Sequence, residues 1–198
     1  MKKYGIFGGT FDPPHIAHLI HAELVRNKMR LDKIIFVPSG NPPLKRKSSV
    51  LESNHRYNMA KLCFSSNKNF VVDDIELKNT YQKTYTIDTL KKLNTKYKNQ
   101  NVIFYFIIGT DNFIELPKWK DTYEIFSMCK VIVINRPPYK FEDGPDEFKR
   151  KVIRVKVPNL DISSTVIRKM VKKGQSIKYL VTERVEKYII QNNLYKIY

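Results

Sequence analysis

No stretch of this 198-residue chain approaches the ~20 consecutive apolar residues that a membrane span requires, so no membrane partner is expected. The start, Met1-Lys2-Lys3, carries positive charge, but a glycine pair arrives before an apolar signal core has room to form. Cysteine is scarce. Cys63 and Cys129 stand far apart in apolar surroundings, which indicates buried thiols in a reducing, cytoplasmic setting rather than a disulfide framework. Acidic residues are also few, 19 against 36 basic ones, which leaves a net charge of +17. That excess favours anionic partners: nucleic acid, an acidic membrane surface or phosphorylated small molecules. The lysines are scattered along predicted helices (Lys91, Lys92, Lys96, Lys98; Lys169, Lys172, Lys173), as on solvated faces. No concentrated basic patch with exposed aromatics appears, so no nucleic-acid partner is expected. Neither G-x-G-x-x-G nor G-x-x-x-x-G-K-[ST] occurs, which excludes the dinucleotide fingerprint and the P-loop. Internal repeats, low-complexity tracts and linkers are missing too. One domain over 1–198 is expected, with residues 164–198 as a small C-terminal helical cap.

What is present is concentrated first at the amino terminus. Gly5-Ile6-Phe7-Gly8-Gly9-Thr10-Phe11-Asp12-Pro13-Pro14-His15-Ile16-Ala17-His18 reads as a strand, a glycine turn and a helix start. Tyr4 to Phe7 is an apolar run of strand length, and Gly8-Gly9 lets the backbone turn tightly and approach a ligand. Pro14 suits the first helical position, where its missing N–H would be unpaired anyway. The helix then opens with free N–H groups and a partial positive charge, which together make a phosphate site. His15 and His18 share one face of its first turn.

Further along, apolar strands are expected at Lys33–Val37, Phe70–Val72, Val102–Ile108, Val131–Ile134 and Val152–Val155. Helices alternate with them: Pro14 to Lys28, from an Asn54 cap to Phe64, from a Thr86 cap through Leu93, Ser164 to Lys173, and Thr182 to Asn192. Residues 139–148 read as a loop. Strands that are apolar on both faces and alternate with helices predict an α/β fold with a doubly wound parallel sheet. Ligands of such sheets bind outside the carboxyl ends of the strands, where Gly8-Gly9, Pro38-Ser39, Gly109-Asp111 and Arg136 fall. A second concentrated signal is Ile162-Ser163-Ser164-Thr165-Val166-Ile167-Arg168. Ser163 or Ser164 can cap that helix, and Arg168 rises on the face of Ser164 to clamp the same anion.

The amino-terminal stretch resembles the GGTFDPxHxGH motif of the nucleotidyltransferase superfamily, with Ala17 in place of a glycine. Ile162–Arg168 resembles the ISSTxIR motif of its bacterial nicotinate-mononucleotide adenylyltransferases. Gly109-Thr110-Asp111 followed by Leu116-Pro117-Lys118-Trp119 is similar to that family's G-[AT]-D…L-x-x-W segment, and Tyr85–Leu90 to its YTxxTL stretch. Pro38 to Lys45 resembles its PxxxPPHK loop, where Leu44 replaces the histidine and leaves Lys45 or Arg46 to supply a phosphate contact. The resemblance runs from Lys3 to about Tyr195, essentially the whole chain.

It implies a Rossmann-like sheet with a C-terminal helical extension, and adenylyl transfer from ATP to nicotinate mononucleotide giving deamido-NAD and pyrophosphate. By the same resemblance His15 and His18 contact the ATP phosphates, beside the backbone of Gly8, Gly9, Thr10 and Phe11. Ser163, Ser164, Thr165 and Arg168 serve the β,γ end of the triphosphate, with His15, His18 and Arg168 as the catalytic residues. Gly109 and Asp111 hold the adenosine. Lys45, Thr86, Trp119, Lys120 and Arg136 serve the mononucleotide, with Trp119 exposed at the site mouth. Mg²⁺ comes with ATP rather than in a protein cage. A zinc site from His15, His18, His21 and His55 is not expected, because no Cys or carboxylate is near in sequence to complete it. Two alternatives remain open: another acceptor on the same fold (nicotinamide mononucleotide or a phosphopantetheine), or a basic nucleic-acid-binding protein. Nothing in the sequence excludes a homo-oligomer.

Overall fold

The computed structural model describes residues 1–41, 50–77 and 83–196; Lys45, with its neighbours Leu44, Arg46 and Lys47, lies outside them. Among the described residues the strands are β1 (Lys2–Gly9), β2 (Lys33–Pro38), β3 (Phe70–Val72), β4 (Val102–Gly109), β5 (Lys130–Ile134) and β6 (Val152–Val155). They make one parallel sheet in the order β3-β2-β1-β4-β5-β6. The order reverses between β1 and β4, the switch point where doubly wound sheets bind ligands. The helices are α1 (Ile16–Met29), α2 (Ser53–Phe64), α3 (Thr86–Tyr97), α4 (Thr110–Glu115), α5 (Thr122–Met128), α6 (Asp146–Lys149), α7 (Ser164–Lys172) and α8 (Glu183–Gln191). None of them is long and apolar enough to cross a membrane.

Side chains alternate across each strand with a period of two, so every central strand feeds two cores. Phe7, Ile34, Phe36, Tyr105, Ile107, Ile132 and Ile134 face one side, where α1, α2, α7 and α8 cover them. Tyr4, Ile6, Ile35, Val37, Phe104, Phe106, Val131 and Val133 face the other, under α3, α4, α5 and α6. This is why the strands read as continuous apolar runs. Ile167, Ile177, Val181, Val185, Ile189 and Leu194 belong to the first core, so the C-terminal helices pack on the sheet.

Local details depart from expectation. Gly8 and Gly9 are extended residues of β1; the left-handed residue of the turn is Phe11, at φ 49°. Gly9 is needed for space, since a Cβ there would lie 2.9 Å from the Phe11 ring. Pro14 precedes α1 rather than opening it, because His15 is extended and acts as the N-cap. The amide of Ile16 is not free either: it donates to the Leu180 carbonyl at 3.0 Å. Thr86 is the first residue of α3, behind an extended Tyr85, and Glu52 rather than Asn54 stands at the cap of α2. The short helices α4, α5 and α6, of 6, 7 and 4 residues, have too few turns to show a helical stripe in sequence.

One buried cation ties the loops of the carboxyl edge together. Arg56, on α2, is 1% exposed. Its Nε donates to the Leu51 carbonyl at 2.9 Å, Nη1 to Thr10 at 2.9 Å and Nη2 to Gly40 at 3.3 Å. Burial lowers its pKa, and the Asp12 and Glu76 charges pull it back up. Hydrogen bonds to charged groups contribute about 1.5–3 kcal/mol each. Arg56→Ala is therefore expected to lower the unfolding free energy by at least about 3 kcal/mol, read by urea denaturation.

Candidate active site

The carboxyl ends of β1, β2 and β4, adjacent in the sheet, bring the amino-terminal motif together with Ser39 and the Gly109-Thr110-Asp111 segment. His15 is 5% exposed, and its ring stacks on that of His18 with centroids 3.7 Å apart. The main-chain N–H of His15 donates to His18 Nδ1 at 3.1 Å. An accepting Nδ1 puts the proton of neutral His18 on Nε2. The other side of that ring meets Phe11 and Phe7, edge-on at 5.1 and 6.1 Å. Phe11 itself is core, packed among Phe7, Phe36 and Phe64, so it offers the site only its backbone.

Burial is the main reason both imidazoles resist protonation. It lowers His15 from 6.5 to about 3, with help from the Arg136 and His21 charges. It also sets His18 well below its ordinary value, with His15, Arg136 and His21 pushing the same way. In the free protein both rings are neutral hydrogen-bonding groups. His21 and His55 are engaged elsewhere, with the Pro158 carbonyl and the Tyr188 hydroxyl, each at 3.0 Å.

The start of α7 is fastened to the same turn. Ser163 is its cap, accepting from the Val166 N–H at 3.3 Å. That leaves Ser164, which donates to the Pro13 carbonyl at 2.8 Å and so docks the helix rather than presenting a free hydroxyl. Arg168 Nη1 donates to the Asp12 carbonyl at 2.7 Å, and Nη2 to Thr165 Oγ1 at 3.3 Å. Its remaining N–H groups are uncommitted to these partners.

Asp111 lies in the first turn of α4 and accepts from Arg136 Nη1 at 3.0 Å through Oδ2. Gly109 makes that position available, since a Cβ there would sit 2.4 Å from Asp111 Oδ1. Thr110 Oγ1 accepts from the Arg136 N–H at 3.0 Å and shares its one proton between the carbonyls of Arg136 and Tyr139, both at 3.2 Å, and so holds the loop after β5 against β4. The structure thus sets Arg136 beside Asp111, with its charge felt at His15 and His18.

The remaining predicted residues gather at the start of α3. Lys120 Nζ stands 5.0 Å over the Tyr85 ring and 3.8 Å from Asp88, one turn or less from Thr86. Trp119 is half-buried, edge-on to Phe106 at 6.0 Å, and packs on the second core instead of standing open at the mouth. A hollow of about 350 Å³ opens here, lined by Glu76, Lys83, Thr84, Tyr85, Asp88 and Lys91 among others. The Glu76 carboxylate joins this region to the β2 exit, accepting from the Gly40 N–H at 3.2 Å and from Thr89 Oγ1 at 2.7 Å.

Sequence reasoning passed over Asp12, Ser39, Arg56 and Tyr195 as site residues. Asp12 and Ser39 were visible as neighbours of the motif and of a strand end. Arg56 and Tyr195 gave no local signal, since one sits in the first turn of an ordinary helix and the other beyond the last helix.

Neutral imidazole donors, an arginine beside a helix start and exposed glycine backbone are equipment for holding polyphosphate. The cysteines add no thiolate nucleophile, because burial pushes both up to about 12. On this sheet such a site defines a nucleotidyltransferase. The cytidylyltransferase-like family matches over residues 6–170. A probable nicotinate-nucleotide adenylyltransferase of Clostridium novyi is 41% identical, over 99% of this chain and 100% of its own. Its counterpart in a Thermoanaerobacter strain is 42% identical, over 98% and 94%. Among solved structures, the Plasmodium falciparum nicotinic acid mononucleotide adenylyltransferase complexed with NaAD superposes with a TM-score of 0.79 at 26% identity, covering 98% of each chain. The chain belongs to the nicotinate-nucleotide adenylyltransferases of the cytidylyltransferase-like family.

The buried histidines make stability depend on pH. The unfolded chain takes up protons near pH 6.5, the folded His15 only near 3, so the unfolded state binds more protons between those values. The stability this represents is fully present above about pH 6.5 and is lost as pH falls, by about 1.4 kcal/mol per unit for each such histidine. Unfolding free energies are expected to be level above about pH 7 and to fall increasingly steeply toward that slope between about pH 6.5 and 5, less so in a His15→Asn variant.

Proposed function

We propose that the protein transfers the adenylyl group of ATP to nicotinate mononucleotide, forming deamido-NAD and pyrophosphate, and that the residues above divide that task. One observation carries the assignment of the site. Among the described residues, the buried side-chain polar atoms without a partner are His15 Nδ1, Ser39 Oγ and Asp111 Oδ1. They follow β1, β2 and β4, three neighbours in the sheet. Leaving such an atom unpaired costs about 1–3 kcal/mol, so three on one edge mark where a polar ligand completes the structure.

The reaction asks little of covalent chemistry. A phosphate oxygen of the mononucleotide bonds to the α-phosphorus of ATP as the bond to pyrophosphate breaks. That oxygen is already ionised at pH 7, so no general base is needed. Catalysis is the placement of two polyanions in line and the stabilisation of charge on the α-phosphate and the leaving group. His18 donates through Nε2–H, with His15 beside it, and the backbone of Gly8 to Phe11 lines the same turn. Arg168, Thr165 and the first turn of α7, capped by Ser163 and docked by Ser164, take the β,γ end. Gly109 and Asp111 take the adenosine, with Arg136 oriented by Asp111. Ser39, whose N–H bonds to the Gly9 carbonyl at 2.8 Å, offers its hydroxyl between the two substrates.

The start of α3 takes the mononucleotide, with Thr86, Trp119 and Lys120 around the ring, and Lys45 is assigned to the same substrate by the sequence resemblance alone. The first-turn amides and positive dipole end of α3 favour a carboxylate substituent over a carboxamide. Mg²⁺ is read as arriving on the triphosphate rather than in a protein cage. When bound it screens the charge of the departing pyrophosphate. The two free, buried thiols fit a reducing cytoplasm.

Pyrophosphate release measured with nicotinate mononucleotide, nicotinamide mononucleotide and phosphopantetheine in turn tests the reading. One or two charge-assisted bonds predict an acid-over-amide preference of about ten- to a thousandfold in kcat/KM. Equal values for acid and amide would make this a dual-specificity enzyme, and turnover only with phosphopantetheine would overturn the reading. His18→Ala is expected to keep its fold and lose about a hundredfold in kcat, as for other lost transition-state donors. Near-normal turnover would remove His18 from the catalytic set.

A further inference from the structure

Asp12 is an acid at the centre of an anion-binding turn, where a second negative charge works against the substrate. Its carboxylate is buried and shared between distant parts of the chain. The Tyr195 hydroxyl, 183 residues away in sequence, donates to Oδ1 at 2.7 Å, and the Leu51 amide donates to Oδ2 at 3.3 Å. Arg168 Nη1 lies 3.9 Å from Oδ2, while its short bond of 2.7 Å goes to the main-chain carbonyl of the same residue. The guanidinium therefore stands at the edge of an ion pair that it does not close.

We propose that Tyr195 is a positioning residue for ATP: by satisfying the Asp12 carboxylate it leaves the Arg168 guanidinium free to meet the triphosphate. The proposal rests on the reading of Arg168 as a triphosphate ligand. Without the hydroxyl, Oδ1 loses its one short bond; of the two arginines whose charge the carboxylate feels, Arg56 is committed to three carbonyls, and Arg168 already stands 3.9 Å from Oδ2. A shift of roughly 1 Å brings N and O to the ~2.8 Å of a charge-assisted pair, and the triphosphate then has to compete with Asp12 for its arginine. The hydroxyl is held in advance rather than recruited. Leu194, beside it, is buried with Val185 and Ile189 of α8 in the first core. It also stays a donor at working pH, since burial and the Asp12 charge both raise the Tyr195 pKa.

The test compares Tyr195→Phe, Tyr195→Phe with Asp12→Asn, and Arg168→Ala in the full chain, each checked for a cooperative thermal transition. Tyr195→Phe is expected to lower kcat/KM for ATP by about tenfold, one charge-assisted hydrogen bond's worth, while the KM for the mononucleotide stays within about twofold. Adding Asp12→Asn is expected to recover most of that loss, because a neutral amide does not capture the arginine. Wild-type ATP constants in Tyr195→Phe would overturn the proposal. So would a double variant as damaged as the single one, which marks Tyr195 as a structural prop. Binding of adenosine, which lacks phosphates, decides the matter on the single variant alone: a loss confined to ATP supports the proposal, and an equal loss for adenosine overturns it. Unchanged ATP kinetics in Arg168→Ala would instead overturn the assignment of Arg168 itself, and this proposal with it.

Discussion

Arg56 carries its charge where water does not reach it, and three main-chain carbonyls solvate it instead. Those carbonyls belong to the turn after β1, the exit of β2 and the entry to α2, so one guanidinium sets the relative positions of three loops. The C=O and N–H of a trans peptide point in opposite directions. Holding the Thr10 carbonyl therefore aims the Phe11 N–H the other way, and the left-handed Phe11 backbone is kept by its ring among Phe7, Phe36 and Phe64. The turn after β1 is thus organised by the chain's own packing and hydrogen bonds.

Electrostatics in that turn follow from the same burial. Two stacked imidazoles within the field of Arg136 would repel it and one another if all were charged, and desolvation settles the conflict by keeping the imidazoles neutral. Positive charge at the site then rests on the arginines, while the histidines supply directed N–H groups. The net charge of +17 adds a diffuse attraction that salt screens, and the buried geometry provides the selectivity.

The carboxyl-terminal helices are part of this machinery through packing. α7 and α8 bury Ile167, Val185 and Ile189 against the face of the sheet that also holds Phe7 and Phe36. From that base Ser164 reaches Pro13, Arg168 reaches Asp12, and Tyr195 reaches the Asp12 carboxylate. Residues more than 150 positions apart meet at one turn because a parallel sheet returns every strand end to the same edge.

Much of this was legible in the residues. Runs such as Val102–Ile108 are apolar at every position because both faces of the strand are covered, so strand identity, sheet class and the binding edge follow from the pattern alone. The spacing of His15 and His18, and the Ser-Ser-Thr before Arg168, likewise carry their geometry locally, since three or four residues of helix make one turn. Roles that depend on what packs opposite were not legible. Ser163 and Ser164 are equivalent as letters, and only the nearness of Pro13 makes one a cap and the other a dock. Arg56 reads as an ordinary helix cation and Tyr195 as a residue past the last helix, because the carbonyls and the carboxylate they serve lie far off in sequence. Local periodicity determined the elements and the motif turns of this protein. The tertiary structure decided which polar groups are sealed from water, and burial is what turns an arginine, a tyrosine and two histidines into parts of a site.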